Sequence, residues 1–257
     1  MARLLVLEDA EQRLRPNARR YLGVRPIPLD HVVGTDSRAA DFDREFQPLR
    51  PEVRARWKRV ASAFPEGDFP PIVVSKLGDA YFVVDGHHRV AVARRRGMQT
   101  IDAEVTELQA RWHLGPKADV VDLMHGEQHR IFMEQTGLAD ARPDACIAFS
   151  RPIGWSELLE NVERHGYRLM RESGRVLEPD EIAADWYERI YLHSLELFRR
   201  EGLEPMATEG DLFLCVHARR RELLPDCSCT TLEDAARHVR SADEERARSR
   251  IRRLLPI

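Results

Sequence analysis

Residues 81–98 read YFVVDGHHRVAVARRRGM, and the change of character halfway along this stretch decides the fold. Tyr81, Phe82, Val83 and Val84 are aromatic or β-branched and predict a strand. Asp85-Gly86 supplies a turn. Beyond it, Val90, Val92 and Ala93 set against Arg89, Arg94, Arg95 and Arg96 predict a helix that Gly97 ends at the C′ position. A strand therefore hands over to a helix N-terminus at Asp85, Gly86, His87, His88 and Arg89. The unpaired N–H groups of a first helical turn, with the positive end of its dipole, form an anion site. Gly86 lets a phosphate approach the backbone, and two imidazoles with a guanidinium add donors and charge. The plainer alternative is a turn in which Asp85 caps the helix and the histidines are exposed. Arg94, Arg95 and Arg96 read as a solvated helix face rather than a nucleic-acid contact.

Working outward from the box, Ile72–Ser75 predicts a strand that turns at Gly78-Asp79 into Tyr81–Val84, making a hairpin. Pro51 opens a helix over 51–64, with Val53, Trp57, Val60, Ala61 and Phe64 at helical spacing. Before it lies GTDSRAADFDREFQ, residues 34–47, a polar loop after the short strand DHVVGT. Such a loop is either a solvated connection or a home for ligand contacts; Thr35, Arg38 and Asp41 are its candidates. Residues 1–22 read as an arginine-rich helix, and 25–33 as extended because of its prolines. Ile101–Val105 is a third strand following the box helix.

Composition shifts near residue 112, which divides the chain into 1–111 and a mostly helical 112–257. In the second part, helices are predicted over 124–135, over 156–165 with Ser156 as N-cap and Gly166 as C-cap, over 178–200 and over 212–223. Residues 145–149 and 167–170 read as short strands. The cluster Trp186, Tyr187 and Tyr191 reads as core. The arginine-rich helix expected over 231–255 is balanced by Glu233, Asp234, Asp243, Glu244 and Glu245, so it predicts a solvated face or a homo-oligomer contact.

The chain is 43% hydrophobic and 32% charged, with a formal net charge of −3 over 257 residues. That predicts a globular protein with a substantial core, and gives no general basicity that would favour nucleic acid. No apolar run approaches ~20 residues, so no membrane span is expected, and no signal peptide is read at the start. Cys146, Cys215, Cys227 and Cys229 are too few for a disulfide framework; a reducing, cytoplasmic setting follows. His125 and His129 are four apart, which permits a metal pair, but no HExxH pattern supports it. Cys215, His217, Cys227 and Cys229 could supply four zinc ligands. The C-x-C spacing is shorter than structural zinc sites use, so zinc is disfavoured.

From about Asp30 to Glu107, the order of these segments resembles the ParB/sulfiredoxin-like superfamily: an acidic, arginine-bearing loop, a helix, PPIVV, a hairpin into DGHHR, the helix AVARRRGM, then IDAEV. The implied fold is α+β, a small mixed sheet with helices. ParB proteins carry a GERR-type box at this turn, sulfiredoxins a GCHR-type box, and free-serine kinases of the superfamily a DGHHR-type box that matches Asp85 to Arg89. Segments HRIFMEQTGL, ADWYERIYL and EGDLFLCV resemble the tail of a bacterial ParB-like group, which implies no chemistry for that half.

The resemblance implies that Gly86, His87, His88 and Arg89 hold nucleotide phosphates, with Thr35 and Arg38 closing over them. It implies a nucleotide (ATP, ADP or CTP) with Mg2+ as cofactor, Asp85 as a catalytic acid or Mg2+ ligand, and a separate upstream glutamate as base. Asp36, Asp41, Asp43 and Glu45 are the candidates for that base, and Glu45 is the glutamate among them. Histidine stands where sulfiredoxins carry cysteine, which disfavours sulfinic acid reduction. Three functions follow. The first is a nucleotide-dependent kinase or phosphotransferase acting on a small-molecule hydroxyl such as that of free serine. The second is a CTP- or ATP-binding regulatory switch. The third is a ParB-like DNA-binding protein or nuclease, weakened by the near-neutral charge and the lack of a clear helix-turn-helix in 112–257.

Overall fold

The computed structural model describes residues 3–64, 67–205, 207–223 and 231–242. The chain forms two compact units, Met1–Arg130 and Ile131–Ile257.

The first unit is built on a six-stranded mixed sheet. In chain order its elements are β1 (Leu5–Val6), α1 (Leu7–Leu14), β2 (Ala18–Pro28), β3 (Val32–Thr35), α2 (Pro51–Ala63), β4 (Ile72–Leu77), β5 (Ala80–Asp85), α3 (His87–Arg95), β6 (Thr100–Gln109) and the start of α4 (Val120–Thr136). The strand order is β1-β3-β5-β4-β6-β2. β1, β3 and β5 run parallel, β4 and β5 form the expected antiparallel hairpin, β4 pairs parallel with β6, and β6 pairs antiparallel with β2. In central β5, Phe82 and Val83 are fully buried and Tyr81 nearly so, as expected of a strand covered on both faces. β6 alternates instead, with Ile101, Ala103 and Val105 inward and Asp102 and Glu104 outward.

Two layers of core cover the two faces. Tyr81 and Val83 pack with Phe42, Phe46, Ile72, Val90 and Ala93, under α2 and α3. Phe82 packs on the other face with Leu7, Leu14, Leu114, Ala118 and Leu123. The last three residues lie past β6, so the segment that follows the sheet supplies part of this core. Gly34 sits where β1, β3 and β5 meet. A Cβ there would lie 2.4 Å from the Phe82 ring and 2.6 Å from the Leu5 carbonyl, so the centre of the sheet closes only around glycine.

The N-terminal segment differs from the expected helix over 1–22. α1 is eight residues long, and Ala18–Pro28 is a long edge strand. Its side chains are mostly exposed, so it carries neither helical nor strand periodicity. It is held by its ladder to β6 and by cross-strand pairs: Tyr21 Oη donates to Glu104 at 2.8 Å, and Arg20 donates to Glu107 at 3.0 Å.

The regular structure of the second unit is all helical among its described residues, with the end of α4, α5 (Leu138–Ala141), α6 (Ile153–Ser173), α7 (Pro179–Trp186), a π-helical turn Tyr187–Leu192, α8 (His193–Arg200), α9 (Glu209–Leu223) and a helix over 232–242. The two expected strands are absent. Residues 145–149 have no regular structure, and 167–170 lie inside α6. Gly166 does not cap a helix. It is buried within α6, where a Cβ would come within 2.8 Å of Ile182, and Gly174 takes the left-handed cap position instead. A capping box between Glu178 and Glu181 starts α7. Trp186, Tyr191 and Phe213 are fully buried against one another, and Trp186 Nε1 donates to Asn161 at 2.8 Å. Among the described residues no helix is long and apolar enough to cross a membrane.

Candidate functional site

The box is placed as its sequence predicts. β5 ends at Asp85, and α3 starts at His87. Gly86 is the N-cap, at φ +100°, and a Cβ on it would lie 2.4 Å from Ile72 Cγ2. Its glycine is required by both backbone conformation and packing. Gly86, not Asp85, holds the cap position, and no side chain caps the helix. The first N–H groups of α3 therefore have no side-chain cap at this end.

His87 and His88 are buried, not exposed, at 4% and 6% accessibility. His87 Nε2 is 2.6 Å from Thr35 Oγ1, and the same hydroxyl accepts the Arg38 N–H at 3.1 Å. With Nε2 unprotonated, the hydroxyl accepts from Arg38 and donates to His87, satisfying all three groups. Phe42 stacks on the His87 ring and meets His88 edge-on, at 5.9 and 5.3 Å. His88 has neither ring nitrogen hydrogen-bonded. Burial pushes both histidines down to about 4, with Arg38 adding to it; Arg56 and Arg59 on α2 also act on His88. Both rings are thus neutral near pH 7. The positive charge comes from the surrounding guanidiniums, and the imidazoles contribute polar ring atoms rather than charge.

Two arginines near the box are already engaged. Arg89 donates to the Pro70 and Pro71 carbonyls at 2.8 and 2.7 Å and to Asp85 at 2.5 Å. It fastens the 70–71 segment to the helix start and neutralises Asp85, whose side chain is 71% exposed. Arg38 is held by Asp41 at 2.7–2.8 Å, with Arg50 on the other carboxylate oxygen at 3.5 Å. Thr35, Arg38, His87 and His88 therefore come together with the first turn of α3.

Glu45 does not join them. It lies at the other end of α3, lining a cavity of about 470 Å³ with Arg94, Gly97 and Lys117. Asp36 follows the end of β3, its N–H bonded to the Val83 carbonyl of neighbouring β5. Asp36 and Asp85 thus end adjacent parallel strands. Among the described residues no three histidine, cysteine, aspartate or glutamate side chains are grouped to hold a metal. Mg2+ at this turn would find Asp85 as its protein ligand and otherwise phosphate and water oxygens. His125 and His129 pack on Trp112. His217 meets Ser194 at 3.1 Å, while Cys227 and Cys229 lie outside the described residues.

Arg95 and Arg96 are exposed, as a solvated face requires, whereas Arg94 is half-buried and structural. Arg94 reaches the Arg44, Leu29 and Val32 carbonyls at 2.7–2.8 Å and lies over Phe46. Arg96 reaches the Ala61 and Phe64 carbonyls. The residues missed in the sequence are Phe42, Arg56 and Arg59. The run RARWKR in α2 carried the signal for the two arginines, since it adds exposed cations to the polar face of an amphipathic helix.

The family model of the ParB N-terminal domain matches residues 24–115, a segment that runs from within β2 past β6 and contains the box. No curated protein matches the chain. Two solved structures of pNOB8-like ParB N-domains are similar to it. One, a C2221 crystal form, is 11% identical over 84% of this chain and 87% of that one, with a TM-score of 0.23. The other is 9% identical over 82% and 80%, with a TM-score of 0.25. The family match stops short of the second unit and does not extend to a kinase branch.

Proposed function

We propose, from the ParB N-terminal domain pattern of residues 24–115, that the first turn of α3 binds the phosphates of a nucleotide and that the protein is a nucleotide-dependent regulatory switch. The observation that carries this is His88: a polar ring, 94% buried, with no hydrogen-bond partner, beside an uncapped helix N-terminus and in the field of Arg38, Arg56 and Arg59. A buried unpaired polar group is costly, and a ligand that pairs it offsets that cost. Backbone N–H groups and the helix dipole favour phosphate, and the guanidiniums add long-range attraction. Mg2+ would enter with the nucleotide.

Phosphoryl transfer to serine has less support. Asp85 is paired with Arg89, and Glu45 lies at the far end of α3. Neither is free at the turn to take a proton from an acceptor hydroxyl, as the transfer requires, so that role would fall to Asp36, which follows β3 beside Asp85. A switch needs binding without a base.

Calorimetry with ATP, ADP and CTP, each with Mg2+, tests the reading on the full chain. Tight binding of one of them is expected, weakened about tenfold or more by Arg56→Ala, whose exposed site leaves folding intact, and by His88→Ala. Unchanged affinity in both variants overturns the site. Appearance of phosphoserine with ATP or ADP overturns the switch in favour of a kinase.

A further inference from the structure

The second unit holds a cavity of about 620 Å³ between α6, the π-helical turn and α9. Arg164, Arg168 and Arg171 line it from α6, and Arg220 and Arg221 from α9, with Glu172 the one carboxylate among the lining residues. The size is that of a small-ligand site, about 300–1,000 Å³, and the wall carries a large excess of positive charge.

The wall is also constructed to hold one of these guanidiniums in place. His165, buried, contacts Asp185 through Nε2 at 2.7 Å, and its Nδ1 lies 2.9 Å from the Arg168 guanidinium. With Nε2 protonated, the imidazole donates to Asp185 and accepts from Arg168. The carboxylate thus orients the ring, and the ring orients the arginine, as outer partners orient first ligands in metal sites. Ser194, one residue past the π turn's C-cap, donates to the Ile190 carbonyl and so accepts from His217 at 3.1 Å. Ile190 and His217 both line the cavity. A π turn is an irregularity that recurs at functional sites, and here it forms part of a basic wall. Tyr167, 64% exposed, also lines the cavity, with Arg171 over its ring at 5.9 Å. It presents an aromatic face next to charge.

We infer that this cavity is a second anion site, independent of the α3 turn, for a small organic molecule bearing two or more phosphate groups. Arg164 is paired with Glu160 at 3.9 Å, yet arginines still outnumber the acids on this wall, and two phosphates at about −1.5 to −2 each complement such a surface. Guanidiniums pair phosphate oxygens two at a time, which favours phosphate over a single carboxylate. The concave shape and modest volume select a compact ligand over a nucleic-acid duplex, and Tyr167 offers its ring to the organic portion.

The full chain is titrated with inorganic tripolyphosphate and with ATP while amide hydrogen exchange is followed. Protection of α6 and α9 by both probes is expected, with ATP bound several-fold more tightly than tripolyphosphate. The double variant Arg168→Ala/Arg221→Ala should weaken this binding at least tenfold. Tyr167→Ala should remove only the preference for ATP. Charge reversal by Arg221→Glu gives a second variant at an exposed position should the double variant lose structure. Arg56→Ala, at the α3 turn, should leave protection of α6 and α9 intact, which separates failure here from failure at the first site. Absence of protection by either probe, or unchanged affinity in the variants, overturns the inference. Protection by duplex DNA alone overturns it too, making the wall a nucleic-acid surface.

Discussion

At the first turn of α3, two histidines are buried and neutral while the arginines around them are partly bound to acids and carbonyls; in the cavity of the second unit, five arginines line the open space with one glutamate. Both regions are basic in sequence, yet they would attract an anion by different means. The first offers a helix N-terminus and an unpaired buried ring. The second offers guanidiniums, one of them oriented by a histidine that a carboxylate holds. The contrast teaches that an arginine's role is fixed by what accepts its hydrogen bonds. Arg89 reads as a phosphate ligand in the sequence and Arg94 and Arg96 as a solvated face, but each donates to backbone carbonyls.

Acid is the strongest way to break the first region. His87 and His88 titrate near 4 in the folded protein, against 6.5 for an unperturbed histidine. Between those values the unfolded chain binds protons that the folded chain does not. Stability is therefore complete above about pH 6.5 and falls as pH drops toward 4, on the order of 3 kcal/mol for His87 at 1.36 kcal/mol per unit and less for His88. Urea denaturation at pH 7.5, 5.5 and 4.5 measures the slope. A double variant with glutamine at 87 and 88 should flatten it. If the slope is unchanged, the two rings do not carry the acid sensitivity.

Gly86→Ala comes next. It forces a side chain onto φ +100° and into Ile72, at about 3 kcal/mol. Thermal melts should show the loss, and nucleotide binding at the α3 turn should fall with it. Tripolyphosphate protection of α6 should persist, keeping the two regions distinct.

The box, the hairpin and α2 could be read from the sequence because each announces itself locally: β-branched runs, a Gly-Asp turn, apolar residues at helical spacing. β2 could not. An edge strand with both faces wet has no periodicity, and only its partner β6 makes it a strand. Gly166 misled for a related reason, since a glycine that admits Ile182 into a helix contact resembles one that ends a helix. At the site, Thr35 beside His87 followed from the loop preceding the box. The burial of the histidines did not, because Phe42, which covers them, comes from that same polar loop. Glu45 was misplaced because the loop carries it to the far end of α3. The side chains that line the second cavity are spread over α6, the π turn and α9, and no local pattern gathers them.

Arg94→Ala against Arg221→Ala compares the two kinds of arginine directly. The first removes the donor for three carbonyls and should cost about 2 kcal/mol. The second, on an exposed side chain of α9, should change stability by less than about 0.5 kcal/mol while weakening tripolyphosphate binding. Equal stability losses in chemical denaturation would mean that Arg221 is structural after all.

Thr35→Val has the smallest expected effect and bears on the link between loop and box. The change keeps the shape and replaces the hydroxyl with a methyl group, leaving the Arg38 N–H and His87 Nε2 without their shared partner. The stability cost should be about 1 kcal/mol, that of one neutral hydrogen-bonding group lost from a buried site. The binding consequence should exceed the stability one, because Arg38 leaves its fixed position beside the turn when the hydroxyl no longer anchors its backbone. Nucleotide affinity at α3 should fall several-fold by calorimetry, and Thr35→Ser, which restores the oxygen, should recover most of it. The second cavity is lined by other residues, with its own Ser194–His217 contact, so tripolyphosphate protection of α6 and α9 should match the parent. If serine fails to rescue, packing of the threonine methyl rather than the hydrogen bond holds the loop, and the role given to Thr35 is wrong.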